Sequence, residues 1–350
     1  MNRTQETVRT TPGVDATAVS PEVRAASAGR LERAAKIRQL ALVPVLILAV
    51  VIGAFVNSAF LTHDNILNIL QQSSELSVVV IAEVLVLVVG RFDLSLESTF
   101  GLAPMIAAWL VSAPSIGGSG WDVAPALAIL ACLAVGAIVG AFNGFLIVRL
   151  RLSAFIVTLS MLILLRGVTL GITSGKTLFG LPSAMLYLGN SSWVGVPVSI
   201  WIAGALYALT IAFLRYHRTG RAIYAIGGNA QAARAAGIRV ERIVWITFIV
   251  AGVLAALAGL MLTGRIASVT SDQGQNLIFT VFAAAVIGGI SLNGGRGTLF
   301  GALTGVLLLG VIQNILTLSG IASFWIDASF GAIILISLIF ARVTTGEAQE

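Results

Sequence analysis

The chain has 350 residues, of which 57% are hydrophobic and only 10% are charged, and its mean hydropathy is +0.99. Soluble domains carry about 25% charged residues, so this composition excludes a soluble globular protein and indicates a polytopic membrane protein. The formal net charge of +6 does not indicate nucleic-acid binding, because the arginines lie in the connections between apolar segments.

The first 38 residues are polar and rich in Ala, Arg, Thr and Ser. They predict a disordered cytoplasmic tail over residues 1–38. A signal peptide is not expected, because the polar lead is too long and the next apolar block is long enough to span a bilayer. The transmembrane domain is predicted over residues 39–342, followed by a cytoplasmic C-terminal tail over 343–350.

Repeated apolar segments predict an all-α protein with about ten transmembrane helices. Two of the segments, 100–114 and 277–292, are short for a hydrocarbon core of about 30 Å and predict half-helices or helices that extend into glycine-containing flanks. The only cysteine, Cys132, lies in an apolar segment, which excludes an internal disulfide. The predicted segments are 40–60, 67–89, 100–114, 123–148, 154–172, 194–214, 243–263, 277–292, 298–318 and 324–341.

The distribution of basic residues predicts the orientation. With the N-terminal tail placed inside and the segments alternating, eighteen of the 21 basic residues fall on the inner side. Lys176 and Arg265 fall outside, and Arg166 falls within a span. The positive-inside rule therefore predicts that both termini are cytoplasmic and that the number of spans is even.

The longest polar interruption, Arg215–Arg242, contains six arginines and only one acid. Its Gly227-Gly228-Asn229 sequence predicts a turn, and residues 230–236 predict a short helix of small residues. Gly237 is expected to end that helix in the left-handed conformation. We interpret this inner segment as a surface on which another protein docks.

Four ionisable residues lie inside predicted spans: Glu75, Glu83, Arg166 and Asp327. Each costs about 2.5–3.5 kcal/mol or more at the bilayer centre unless it is paired or hydrated. We expect structural ion pairs or a water-filled path, with Glu83 and Arg166 as one plausible pair.

Uncharged polar residues also occur in the spans, and Gln72, Asn143 and Asn314 are our candidates for a translocation path. Hydroxyl and amide groups suit a neutral polyol, whereas fixed charges suit ions. The competing interpretation of each residue is an interhelical hydrogen bond.

Three further motifs have a structural explanation. The segment 171–177, GITSGKT, has three residues between its glycines where a nucleotide-binding loop needs four, and it is predicted outside the membrane. In the segment 90–98, Asp93 or Ser95 is expected to cap the next helix, with a substrate role as the alternative. The segment 288–297 holds five glycines and predicts a cytoplasmic hairpin, either a plain turn or part of an inner gate.

These segments together, over about residues 62–341, resemble the ribose-type permeases, the permease family of bacterial ABC importers for monosaccharides. No single motif is decisive, but their ordered combination is specific. The resemblance rests on Asp93-Leu94-Ser95, Asn143-Gly144, Thr158-Leu159, Arg166-Gly167, Gly220-Arg221, Tyr224 to Asn229, Ala232-Ala233, Gly237-Ile238, Gly288 to Leu292 and Gly294 to Gly297.

The resemblance implies a permease dimer in the bacterial inner membrane, two cytoplasmic ATPase subunits that bind the ATP, and a periplasmic sugar-binding protein. It also implies a coupling helix that sits in a cleft of the ATPase. Glu97 and Glu83 depart from the family pattern, which usually has glycine and a small residue there. The coupling residues implied are Gly227, Gly228, Asn229, Ala232, Ala233 and Gly237.

The expected function is therefore the import of a monosaccharide or related polyol, without an ATPase site, catalytic residues, cofactor or metal in this chain. An ABC permease for branched-chain amino acids or nucleosides is the alternative. An ion-coupled secondary transporter is less favoured, because the spans contain few acids and no histidine cluster. An intramembrane enzyme lacks any catalytic motif in this sequence.

Overall fold

A computed structural model describes residues 42–326, 328–332 and 335. Asp327 and both predicted tails lie outside the described residues. The predicted division into tail, transmembrane domain and tail therefore stays a prediction.

The described residues form a helical bundle with two minimal β-pairs. The helices are α1 (Leu42–Val56), α2 (His63–Val88), α3 (Leu96–Val111), α4 (Pro125–Val148), α5 (Ala154–Thr173), α6 (Ser183–Asn190), α7 (Val198–Tyr216), α8 (Arg218–Gly228), α9 (Ala230–Ala235), α10 (Val240–Ile266), α11 (Leu277–Ile287) and α12 (Leu299–Leu318). The strands are β1 (Leu178–Phe179), β2 (Ser192–Trp193), β3 (Val196–Pro197) and β4 (Ser268–Val269).

Six of these helices are long and apolar enough to cross a membrane: α2, α4, α5, α7, α10 and α12. Three others, α1, α3 and α11, are apolar but shorter. The predicted all-α polytopic membrane fold is confirmed. The two segments predicted to be short correspond to α3, with 16 residues, and α11, with 11 residues.

Helix α2 lies at the centre of the bundle. Every residue from Val78 to Val88 is buried, including Glu83. A helix that is apolar on all sides is stable only when other helices surround it, and α2 packs against α7, α10, α11 and α12. Any movement of α2 must therefore involve most of the bundle.

Glycines bring helices α4 and α10 into backbone contact. A Cβ atom on Gly136 would collide with the carbonyl oxygen of Gly252, and one on Gly252 would collide with that of Gly136. Gly140, one turn further along α4, lies equally close to the Phe248 carbonyl oxygen. Small residues four apart allow membrane helices to approach to backbone contact, which accounts for this crossing.

One face of the bundle carries the β-pairs. Leu178 of β1 pairs with Val269 of β4, so the C-terminal ends of α5 and α10 meet there. The opposite face carries α8, α9, the end of α2 and the glycine-rich 288–297 segment, because Gly90 and Gly227 approach Gly294 closely. The arginine-rich connections therefore share one face, while Lys176 and Arg265 lie towards the other.

Candidate functional site

The face that carries the arginine-rich connections is built around the helix pair α8–α9. Gly227 and Gly228, predicted to form a turn, are instead the last two residues of α8, so this part of the prediction was wrong. The reversal occurs at Asn229 alone, whose extended backbone separates the two helices.

Asn229 caps the short helix α9. Its side-chain oxygen accepts hydrogen bonds from the backbone N–H groups of Gln231 at 3.0 Å and Ala232 at 2.9 Å. At the other end, Gly237 has φ +81° and donates to the Arg234 carbonyl at 2.9 Å. The predicted short helix and its glycine terminus are therefore present, and both of its ends are closed by its own sequence.

Only part of the surface of helix α9 is exposed to solvent. Ala232 is exposed, whereas Ala233 is only 4% exposed and packs into the core of the chain. Of the candidate coupling residues, Gly228, Asn229, Ala232 and Gly237 are exposed. A partner docking on this face would therefore contact Ala232 rather than Ala233.

A backbone contact joins α8 to the end of α2. A Cβ atom on Gly227 would collide with the Val88 carbonyl oxygen and with the Gly295 amide nitrogen. That same carbonyl oxygen accepts a hydrogen bond of 2.9 Å from the Gly295 N–H. We call this arrangement of Val88, Gly227 and Gly295 the glycine contact.

A side-chain hydrogen bond reinforces the glycine contact. The Tyr224 hydroxyl donates to the Gly297 carbonyl oxygen over 3.0 Å. Burial raises the pKa of the Tyr224 phenol above its usual range, so the proton needed for this bond is retained. The glycine-rich segment is thus attached to α8 rather than forming an isolated turn.

A partly open cavity of about 290 Å³ is lined by residues of α2, α3, α10, α11 and α12, by the 274–276 connection and by Phe330. Its wall combines apolar with polar side chains. The polar and charged lining residues are Gln72, Ser73, Glu75, Arg265, Gln275, Asn276, Thr280 and Gln313.

An ion pair forms part of the cavity wall. The Arg265 guanidinium donates from Nε to one Glu75 oxygen at 2.7 Å and from a terminal nitrogen to the other at 3.0 Å. Such a two-point pair neutralises both charges and fixes their orientation. It satisfies the requirement that an intramembrane carboxylate be paired.

The three path candidates lie in different places. Gln72 lines the cavity. Asn143 is fully buried and donates to the Ser95 hydroxyl at 2.7 Å. Asn314 exchanges two amide hydrogen bonds with Asn65, of 2.8 and 2.9 Å. Asn143 and Asn314 thus make the interhelical bonds that were the alternative interpretation, and a path role for any of the three stays a prediction.

The predicted pairing of Glu83 with Arg166 was wrong. Arg166 lies 3.5 Å from Glu97, and Glu97 also accepts the Ile278 backbone N–H at the start of α11 over 3.3 Å. Glu97 therefore connects α3, α5 and α11. Glu83 is fully buried, with the Asp93 N–H 3.5 Å from one of its oxygens.

Asp93 and Ser95 form a turn before α3. The Asp93 carboxylate accepts the Ser95 N–H at 3.0 Å and the Ser95 hydroxyl at 2.5 Å. The Ser95 side chain makes no capping bond to α3, so Asp93, and not Ser95, stabilises the start of this helix. Both residues are buried.

Sequence reasoning did not select Arg265 or Gln313 as cavity residues. Arg265 was assigned to the outer connection, and its partner Glu75 is 190 residues away in the chain. The sequence could have indicated this pair, because Glu75 is an acid within one predicted span and Arg265 is a base at the end of another. Gln313 is uncharged, so no comparable signal existed for it.

A bundle of apolar, membrane-length helices that has a cavity with polar lining residues and a capped helix pair on its basic face is typical of a multi-pass transport protein. The protein family described as "Branched-chain amino acid transport system / permease component" matches residues 65–340. The chain belongs to this family of ABC importer permeases and is a multi-pass protein of the bacterial inner membrane.

Several relatives are similar over most of their length. The ribose import permease protein of Escherichia coli K12 is 35% identical over 311 residues, which cover 86% of this chain and 92% of the relative. That of Bacillus subtilis is 36% identical over 301 residues, 85% and 90% of the two chains. The autoinducer 2 import system permease protein of Enterobacter sp. is 35% identical over 282 residues, 80% and 79%.

Proposed function

We propose that the chain is the membrane-spanning subunit of an ABC importer that moves a monosaccharide or related polyol into the cytoplasm. A separate ATPase subunit supplies the energy, and this chain hydrolyses no ATP itself. The similarity to ribose import permeases over more than four-fifths of the chain carries the proposal. The segment 171–177 runs from the end of α5 towards β1, whereas a nucleotide-binding loop runs from a strand into a helix.

The proposed complex contains two permease copies, two cytoplasmic ATPase subunits and a periplasmic sugar-binding protein. About ten helices span the membrane, with both termini in the cytoplasm. The shared face of the arginine-rich connections supports this orientation. The short helix α9, exposed on that face and capped at both ends, is the proposed contact with the ATPase.

The glycine contact gives a route from the ATPase to the membrane interior. When ATP binding moves α9, α8 moves with it, because the two helices are joined by one capping residue. Gly227 then displaces the end of α2 by direct backbone contact. Since Glu75 and Gln72 of α2 line the cavity, that displacement changes its shape and the side to which it opens.

Co-purification from the native host tests the proposed assembly. The full-length chain is extracted in mild detergent, and the proteins that accompany it are identified by mass spectrometry. We expect an ABC ATPase subunit in about equal amount. Reproducible absence of any ATPase from an intact, monodisperse permease would instead favour an ion-coupled secondary transporter, whose uptake stops when the ion gradient is collapsed while ATP is maintained.

A second candidate function is the transport of branched-chain amino acids, because the description of the matching family names them. Uptake of labelled leucine and labelled ribose in the same cells separates the two. We expect uptake of ribose that depends on this chain. Uptake of leucine alone would establish the second candidate.

A further inference from the structure

Two acidic side chains are buried together near the end of α2 that makes the glycine contact. Glu83 lies in the last two turns of α2 and is 0% exposed, and Asp93, in the turn between α2 and α3, is 1% exposed. One Glu83 oxygen lies 3.5 Å from the Asp93 backbone nitrogen. The two carboxyl groups are therefore neighbours, and the import mechanism proposed above uses neither of them.

No base among the described residues forms a salt bridge with either carboxyl group. Arg91, two residues before Asp93, is exposed, and its guanidinium donates to the Gly90 carbonyl oxygen over 3.3 Å. The salt bridges of the described residues instead join Glu75 to Arg265, Glu97 to Arg166 and Glu241 to Arg234. Glu83 and Asp93 are thus two buried acids without a counter-charge from a base.

The helices packed against α2 bring no compensating charge to Glu83. Helices α11 and α12 contain no ionisable residue within their described ranges. On α10, Arg265 is paired with Glu75, which lies eight residues from Glu83, or about 12 Å along α2. The hydroxyl groups of Tyr207 on α7 and Tyr224 on α8 are neutral below about pH 10. The other ionisable residues of α7, α8 and α10 are exposed: Arg215, Tyr216, Arg218, Arg221, Glu241 and Arg242.

Three buried oxygens of this cluster have no hydrogen-bond partner among the described residues: Glu83 Oε2, Asp93 Oδ2 and Asn143 Oδ1. Asn143 belongs to the cluster because its amide donates to the Ser95 hydroxyl at 2.7 Å, and that hydroxyl donates to Asp93 at 2.5 Å. Buried polar atoms are nearly always paired. The cluster therefore lacks a hydrogen-bond donor, which a proton on a carboxyl group supplies.

Ionising both carboxyl groups would bury two negative charges side by side. A buried carboxylate without a partner is so costly that the group binds a proton instead, and two carboxylates that share a site do not both ionise readily. Ser95 donates two hydrogen bonds to Asp93, whereas the contact printed for Glu83 within the described network is the long one to the Asp93 N–H. Glu83 is therefore the carboxyl group that holds a proton more firmly.

A divalent metal ion fits this cluster less well than a proton does. Calcium and magnesium take six or more oxygen ligands, whereas the cluster offers three oxygens without partners. Over the ranges that the structure describes, no group of three or more His, Cys, Asp or Glu side chains is placed to hold a metal. A monovalent cation is the remaining competitor, and the experiments distinguish it from a proton.

The two acids lie on either side of the glycine contact in the sequence. Val88 is five residues from Glu83 and five from Asp93, and its carbonyl oxygen packs against Gly227 and accepts the Gly295 N–H. An ionised carboxylate is stable only when it reaches water, and here that requires the chain between the two acids to move. Ionisation of the pair therefore opposes the glycine contact.

We propose that Glu83 and Asp93 form a buried proton-binding site that makes the end of α2 at the glycine contact sensitive to pH. Glu83 holds its proton while the glycine contact is closed and releases it to water when the contact opens. This inference goes beyond the proposed import function. Its tests need no transport, so the two can fail separately.

The site is expected to lower the stability of the fold as the pH rises. Burial raises the pKa of Asp93 to about 7, whereas an unfolded carboxyl group has a pKa of about 4. Between these values the folded chain binds more protons than the unfolded chain, so the free energy of unfolding decreases with increasing pH. Measurements between pH 5 and pH 7 therefore report on the site.

Thermal unfolding of the full-length chain in detergent tests the site over this pH range. Each proton held only by the folded state changes the unfolding equilibrium constant by about tenfold per pH unit. Glu83→Gln keeps the size of the side chain but has no proton to lose. From pH 5 to pH 7 we therefore expect the unfolding constant of this variant to rise about a hundredfold less than that of the unmodified chain.

Asp64→Asn is the matched control, because it changes an exposed carboxyl group in the first turn of the same helix to an amide. We expect it to retain the pH dependence of the unmodified chain. Adding Asp93→Asn to Glu83→Gln should reduce the dependence further. Parallel pH profiles for Glu83→Gln and the unmodified chain would overturn the proposal.

Replacing sodium and potassium chloride by choline chloride at constant ionic strength distinguishes a proton from an alkali cation. We expect the thermal midpoint of the unmodified chain at pH 6 to stay the same. A lower midpoint that sodium restores, in the unmodified chain but not in Glu83→Gln, would assign the site to a cation and overturn the proton.

Infrared spectroscopy detects the proton in the unmodified chain and does not depend on the folding of a variant. A protonated carboxyl group absorbs separately from a carboxylate, and exposed carboxyl groups are ionised at pH 6. We expect a carboxylic acid band at this pH, which Glu83→Gln weakens. The absence of any such band from the unmodified chain would contradict the buried proton.

Hydrogen exchange tests the link between the site and the glycine contact. The Gly295 N–H is bonded to the Val88 carbonyl oxygen, so its exchange reports on opening of the contact. We expect the peptide that contains Gly295 to exchange faster in the unmodified chain than in Glu83→Gln at pH 8, and at the same rate in both at pH 6. Equal rates at both pH values would overturn the link.

Discussion

Gly227 and Gly228 are adjacent in sequence but have opposite surroundings. A Cβ atom on Gly227 would collide with Val88 and Gly295, whereas one on Gly228 would meet nothing within 4 Å. This difference between neighbouring residues separates the effect of the glycine contact from the general effect of replacing glycine in a helix.

We predict that Gly227→Ala destabilises the permease and impairs uptake, whereas Gly228→Ala does neither. Overpacking typically costs about 1–3 kcal/mol, while alanine at an unobstructed helical position is favoured by about 0.5–1 kcal/mol over glycine. Thermal midpoints in detergent and initial rates of sugar uptake measure the two effects. Equal midpoints for the two variants would contradict the glycine contact.

The Asn65–Asn314 pair decides between two roles for Asn314. Each amide donates one bond to the other, and Asn65 also donates to the Phe60 carbonyl oxygen at 2.8 Å. Replacing either residue by leucine removes both bonds of the pair, and each lost hydrogen bond costs about 0.5–1.5 kcal/mol. We predict that Asn65→Leu and Asn314→Leu both lower the thermal midpoint, that Asn65→Leu lowers it more because it also removes the bond to Phe60, and that the double variant loses less than their sum. A strong loss of uptake in Asn314→Leu alone would instead support a place in the translocation path.

At the scale of the helices, α9 has an exposed and a buried alanine side by side, so substitutions there can test docking and folding separately. Ala232 is exposed and Ala233 is 4% exposed. An acidic residue in the first turn of a helix is compatible with the helix dipole, so Ala232→Asp should leave α9 intact. An aspartate at the buried position 233 has no such compensation.

We predict that Ala232→Asp reduces sugar uptake by more than about tenfold while the thermal midpoint stays unchanged, because an unpaired charge buried in a partner interface costs several kcal/mol. Ala233→Asp should lower the midpoint itself. Uptake rates and melting curves of both variants, with Gln231→Ala as the exposed control, give the comparison. Normal uptake in Ala232→Asp would remove α9 from the ATPase contact.

The helices that the sequence predicted are those with continuous apolar runs. Each of the first nine predicted segments corresponds to one helix, namely α1–α5, α7 and α10–α12. These helices were predictable because the thickness of the hydrocarbon core sets the length of a span. Helices α6 and α8 were missed. Helix α6 lies in the connection between α5 and α7, and α8 has two arginines and a threonine among its first four residues, so neither resembles a span.

The site was less predictable than the helices, because its contacts join distant parts of the chain. Glu75 and Arg265 are 190 residues apart, and Glu97 and Arg166 are 69 apart. Hydropathy shows that each charge needs a partner, but it does not show which partner. The choice depends on how α2, α3, α5 and α10 pack, and the glycine crossings that set this packing are recognisable only in three dimensions.

For the whole molecule, the proposed orientation predicts that the two faces of the bundle differ in their accessibility to a reagent outside intact cells. Val194, in the β2–β3 hairpin, is 97% exposed on the face proposed to lie outside, and Gln231 of α9 is exposed on the face proposed to be cytoplasmic. Because the native Cys132 is fully buried, either residue can be replaced by cysteine against a low background.

We predict that a membrane-impermeant thiol reagent labels Val194→Cys in intact spheroplasts and labels Gln231→Cys only after the membrane is permeabilised. The expectation follows from the arginine-rich connections, which the positive-inside rule holds in the cytoplasm. The unmodified chain is the control for background, and ribose uptake by each variant shows that its fold is retained. The reverse labelling pattern would place α9 outside the cell and exclude it as the contact with a cytoplasmic ATPase.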